Sequence, residues 1–162
     1  MADASGKILT IRTNLAPDIV AAIDPQKKYV IEIREKKNKR SNDQNAMYWS
    51  ILGQVAKALG ISKARCHNML LRDYGQPLII DGEFICTMVR DTDAAEEECL
   101  EDSKHHLRPT SHVTVGNDGK DYRVYQALRG SSTYDSAEFS QLLNGLLEEV
   151  KQMGLTLIWE DT

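Results

Sequence analysis

Residues 135–154 constrain the fold of this chain more than any other stretch. Asp135 is a good N-cap residue, and Glu138 follows three positions later. This is the capping-box arrangement, in which each side chain bonds the other residue's backbone N–H. Ala137, Leu142, Leu143, Leu146, Leu147, Val150 and Met153 then recur at helical spacing, and Gly154 is a natural stop. No other segment has so strong an apolar face. A long helix of this kind must lay that face on other elements, so the preceding sequence has to supply a partner layer.

Two shorter helices can supply it. Ser41 or Asn42 caps the first, which runs to about Leu59. Tyr48, Leu52, Val55 and Leu59 form its stripe, widened by Trp49 and Ala56. After Gly60, Ser62 caps a second helix to about Tyr74 with Cys66, Met69 and Leu70 inward, and Gly75 and Pro77 close it. Strand signals lie on both sides of this pair. Lys7 to Thr13 alternates, and Asn14 to Ile23 reads as a short helix ended by Asp24-Pro25. Lys28 to Arg34 alternates again, giving a β-α-β unit. Beyond the pair, Asp81-Gly82 between apolar runs predicts a hairpin, and Gly116 to Gly119 predicts a second. Leu155 to Trp159 reads as a last strand. The expected fold is α+β: an N-terminal β-α-β unit, a central helical pair, one or two hairpins and a long C-terminal helix. It is expected to form a single domain over residues 1–162.

A hydrophobic content of 41% with 27% charged residues suits a water-soluble domain, and no apolar run approaches the ~20 residues of a membrane span. The first residues lack the features of a signal peptide, so a cytoplasmic protein is expected. Cys66, Cys86 and Cys99 are odd in number and irregularly spaced, and read as free thiols.

Charge is patterned rather than uniform. The chain carries −4 in total, which argues against a surface that is basic all over. Residues 91–103 carry −7, and residues 34–40 carry +4 from five cations and Glu35. The acidic run reads as a short helix or as a loop. It offers little beyond Leu100 to bury and is expected to be dispensable for folding. The basic run reads in two ways, as a solvated loop or as a strand-binding patch. Directly after Arg34, Lys36, Lys37, Lys39 and Arg40 come Ser41, Asn42, Asp43, Gln44 and Asn45, then Tyr48 and Trp49. Cations meet phosphates, amides reach base edges, and an open ring stacks on a base.

Other chemistry is weaker. Val55 to Arg65 has the outline of a helix-turn-helix, with Lys63, Arg65, His67, Asn68 and Arg72 placed to read a duplex. Any two packed helices joined by Leu-Gly-Ile-Ser give the same outline. His67, His105, His106 and His112 lack metal-ligand spacing and read as solvated. The acidic run could hold Mg²⁺ for a nuclease only if its carboxylates converged, which consecutive residues on a loop do not. Ser131, Ser132 and Thr133 read as turn and capping residues that could also meet a phosphate at the helix N-terminus. There is no Walker loop, and neither a cofactor nor a catalytic group is expected.

Arg40-Ser-Asn-Asp-Gln-Asn45 followed by Trp49 resembles the Arg-Ser-x-Asp-Gln-Asn-x-x-x-Trp motif of the phage NinB/Orf recombination mediators. Gly130 to Asp135, with Glu138-Phe139, Leu142-Leu143 and Gly154, is similar to the last block of that family in its prophage-borne members. Nothing between about Asp73 and Gln126 matches. The resemblance implies an accessory factor in recombination within a bacterial host cell, binding single-stranded DNA as a homodimer. It implies help to a recombinase or annealing protein on strands coated by single-strand-binding protein. It places DNA contacts at Arg40, Gln44, Asn45 and Trp49, which Lys36, Lys37 and Lys39 join on charge alone. Asp43 is expected to anchor the loop. The alternatives are a helix-turn-helix duplex binder and a metal-dependent nuclease.

Overall fold

A computed structural model describes residues 42–158 together with Ala21, Ile23, Asp24, Gln26 and Lys27. The expected β-α-β unit lies outside the described residues apart from those five, as do the basic residues of 34–40. By backbone contacts the chain divides into two compact units, Met1–Glu35 and Lys36–Thr162. In the first, the Asp24 carboxylate accepts from the Gln26 backbone N–H at 2.9 Å, a local turn. All the elements below belong to the second.

Helix α1 spans Asn42–Leu59 and α2 spans Lys63–Tyr74. Tyr48, Ile51, Leu52, Val55 and Ala56 recur at helical intervals and are all buried. Gly60 turns the chain with φ of +68°, which a residue without Cβ adopts freely. The Ser62 hydroxyl then caps α2 by accepting from the Arg65 N–H at 2.9 Å. Cys66, Leu70 and Leu71 point inward, whereas Leu59 and Met69, both expected inside, lie at the surface. The carbonyls left over at the end of α2 are met from outside the helix: the Arg108 guanidinium donates to Leu71, Arg72 and Gly75.

A two-residue hairpin joins β1 (Ile79–Ile80) to β2 (Glu83–Phe84) through Asp81 and Gly82, both at positive φ, as the Asp-Gly pair predicts. Strand β3 (Cys86–Arg90), β4 (His106–Val115) and β5 (Asp121–Leu128) form an antiparallel sheet in the order β3-β5-β4. The β4–β5 hairpin is the second one expected, but β4 begins six residues before His112. An irregularity separates Pro109 from Val113. Proline has no N–H to donate, and β4 is an edge strand, where that loss is tolerated.

The acidic run forms helix α3, Asp93–Glu101, capped by Thr92. Of the two expected readings, helix and loop, it is the helix, and it is packed. Leu100 is buried. The Asn68 amide donates to the carbonyls of Leu100 at 2.7 Å and Asp102 at 2.8 Å, filling the open C-terminal end of the helix. Arg65 holds Glu97, and Arg72 reaches Glu96 at 2.8 Å.

The long helix α4 spans Ser136–Gln152 and carries the full Asp135–Glu138 capping box. Its Phe139, Leu142, Leu143, Leu146 and Val150 close the core against α1 and α2. Residues 155–158 form no strand, although one was expected. Leu155 and Leu157 pack on the core, and the Gln54 side chain bonds the Ile158 backbone in both directions, at 3.0 and 2.8 Å. The architecture of the described residues is α+β. No helix among them is long and apolar enough to cross a membrane.

Candidate nucleic-acid interface

The first turns of α1 carry Gln44 and Asn45, both half-buried, and then Tyr48 and Trp49. Asp43 stands in the first turn, where a carboxylate suits the helix dipole. The Asn45 Oδ1 atom is buried and meets no donor among the described residues. Consecutive helix positions point about 100° apart, so Tyr48 and Trp49 have different fates. Tyr48 is fully buried, while Trp49 is 36% exposed and sits at the rim of the apolar stripe. Its ring lies against Tyr48 edge-on at 5.3 Å between centroids, and tilted against His67 at 4.9 Å.

His67 is the hub of this region. It projects from α2 and is only 6% exposed. Its Nδ1 shares a 2.7 Å hydrogen bond with the Tyr48 hydroxyl, and its Nε2 lies 3.4 Å from the Ser131 hydroxyl. The His106 ring stands edge-on to it at 5.5 Å. Burial lowers the His67 pKa to about 4, and the neighbouring His106 adds to the effect. A neutral imidazole has one donor and one acceptor nitrogen, and the two hydroxyls can serve either tautomer.

His106 opens β4. Because the Asn68 amide nitrogen is committed to two carbonyls, its Oδ1 must accept the 2.6 Å bond from His106 Nδ1. Neutral His106 therefore carries its proton on Nδ1 and leaves Nε2 as an acceptor. Burial pushes its pKa down, partly offset by Asp102. Gly130 lies beside that Nε2, where an added Cβ would stand 3.6 Å away. Of the histidines expected to be solvated, His67 is thus buried and His106 half-buried. His105 is exposed and bonds Asp102 at 2.8 Å, and His112 is exposed.

The block 130–135 meets the helix segment at this hub. Residues Ser131–Thr133 form a short 3-10 turn. Ser131 is buried against His67, while Ser132 and Thr133 are exposed. Arg129 fastens the turn by donating to the Thr133 carbonyl at 2.7 Å and to Glu138 at 2.7 Å. The three residues form a turn before Asp135, as expected, while the expectation that Ser131 offers its hydroxyl to a phosphate is corrected by its burial.

Of the residues singled out from sequence, Gln44, Asn45 and Trp49 lie along one end of α1. Lys36, Lys37, Lys39 and Arg40 lie outside the described residues. The sequence reading named His67, His106, Asn68 and Ser131 but did not foresee that they meet in one network. Their partners come from four elements, so no local spacing betrays them. The duplex-reading arrangement is corrected: His67 and Asn68 are buried, Arg65 is held by Glu97, and Arg72 by Glu96, leaving Lys63 exposed. The carboxylates of the acidic run diverge onto arginines, Asp91 onto Arg123 included, and no group of three metal-binding side chains converges among the described residues.

Residues 10–65 match the model of a family described as NinB protein, about a third of the chain. The match covers Arg40, Gln44, Asn45 and Trp49, and the chain is NinB-like over that span. No curated protein and no solved structure matches.

Proposed function

We propose that this NinB-like chain binds single-stranded DNA as an accessory factor in phage or prophage recombination. It acts without catalytic chemistry of its own, and helps a recombinase or annealing protein work on strands coated by single-strand-binding protein. The observation that supports this reading most is Trp49. Its ring leans on a neutral histidine and stays 36% exposed, on the first turns of a helix that directly follows five cations in seven residues. Stacking on such a ring contributes about 1–3 kcal/mol per base and tolerates any sequence. The basic residues supply phosphate contacts, and Gln44 and Asn45 supply amides one turn away from the ring.

The reading also takes the chain to be a homodimer, as the family resemblance implies. The natural test is a gel shift comparing single-stranded, duplex and branched DNA at one salt concentration. Single-stranded DNA should be retained at the lowest protein concentration. Tighter binding of plain duplex would instead favour groove reading, and cleavage of labelled DNA with Mg²⁺ present would make the protein a nuclease.

A further inference from the structure

Trp49 and Ser131 are 82 positions apart in sequence, yet both touch the same imidazole. Ser131 is buried and cannot itself meet a DNA strand. Its hydroxyl faces His67 Nε2 from one end of the ring while the Tyr48 hydroxyl holds Nδ1 at the other. With both nitrogens bonded and the His106 ring edge-on at 5.5 Å, the plane of His67 is fixed. The Trp49 ring packs against that imidazole with centroids 4.9 Å apart and planes tilted by 44°, so its angle follows from the histidine's orientation.

We propose that Ser131 and His67 are positioning residues for Trp49. The 3-10 turn before α4 thereby sets the angle at which the indole meets a nucleobase. This rests on the reading of Trp49 as a strand-stacking residue, and it adds a role for the second block that needs no contact with DNA. A hydroxyl in the turn reaches the stacking ring through one imidazole. Any partner or variant that moves Gly130 to Thr133 would change the strand affinity at a distance.

Two readouts separate this role from a merely structural one. The first is Trp49 emission and its quenching by acrylamide, in a Trp159→Phe background where Trp49 is the only indole of the two in the chain. Ser131→Ala should shift the emission and raise the quenching while circular dichroism stays native. His67→Gln, a second variant that removes the ring, should do so more strongly. The second readout is a double-mutant cycle on a single-stranded oligonucleotide. Ser131→Ala alone should weaken binding about three- to tenfold, the net worth of one hydrogen bond. In the Trp49→Ala background it should cost almost nothing further. Unchanged emission in both folded variants would overturn the proposal, as would an equal, additive loss in the two backgrounds. If Trp49→Ala itself binds like the parent, the stacking reading fails, and the emission arm still decides whether Ser131 positions the ring.

Discussion

His67 concentrates the physical chemistry of the described residues. Burial keeps the imidazole neutral, and the neighbouring His106 adds to the effect. This has a consequence for stability. The unfolded chain takes up a proton at His67 near pH 6.5, whereas the folded chain takes it up only near pH 4. Between those values the unfolded state binds the extra proton, so folding weakens as the pH falls, by an amount on the order of 3 kcal/mol. Below about pH 4 both states are protonated and this contribution stops growing. Urea unfolding followed from pH 7 to pH 4.5 should show the loss, and His67→Gln should flatten the curve in that window. A parent protein whose midpoint is constant across it would mean that His67 is not held neutral. Nothing in the sequence announces this residue. His67 reads equally well as part of an exposed helix face, because its partners, Tyr48, Ser131 and His106, are 19 to 64 positions away.

At the scale of elements, the helices are legible in the sequence because each depends on a local period and local caps. The capping box of α4, the Ser62 cap of α2 and the Asp-Gly hairpin all stand where the residues place them. The early part of β4 is not legible, since His-His-Leu-Arg-Pro-Thr does not alternate and is drawn into the sheet by pairing with β5. The packing of α3 is hidden for a related reason: its own sequence has one apolar residue to bury, but α2 supplies the rest. The partly exposed Arg65 and Arg72 pairs each contribute little, roughly 0–1 kcal/mol. Burial of Leu100 contributes more, about 1.5–3 kcal/mol. So does the Asn68 amide, whose loss of both carbonyls costs about 1–3 kcal/mol. Replacing residues 93–101 by a Gly-Ser linker should therefore lower the melting temperature by about 10 °C, and a change within about 2 °C would show that α3 adds nothing to stability. Gly145 makes a second point. A glycine inside a helix costs about 1 kcal/mol relative to alanine, yet an added Cβ here would stand 2.5 Å from the Tyr74 ring. That ring is held over the helix by its hydroxyl, which donates to Glu149 at 3.0 Å. Gly145→Ala should thus destabilise the protein by about 1–3 kcal/mol in spite of the better helix former. A stabilised variant in thermal melts would mean that Tyr74 moves aside freely.

For the molecule as a whole, the balance of charge matters most. A chain with net charge −4 repels DNA at long range, so the proposed binding requires a local concentration of positive charge. The described part of the chain locks Arg65, Arg72, Arg123 and Arg129 into pairs with carboxylates. The proposed strand binding is therefore assigned to the run at 34–40, whose +4 is the densest positive charge in the sequence. For single strands, each neutralised phosphate contributes about −0.7 to the slope of log affinity against log salt. The decisive measurement is that slope for a single-stranded oligonucleotide, taken for the parent and for Lys36→Ala, Lys37→Ala and Lys39→Ala combined. The expected result is measurable single-strand binding by the parent, and a slope flatter by about 2 in the triple variant. The same slope in both proteins, or no single-strand binding at low salt, would contradict the proposed role of the basic run.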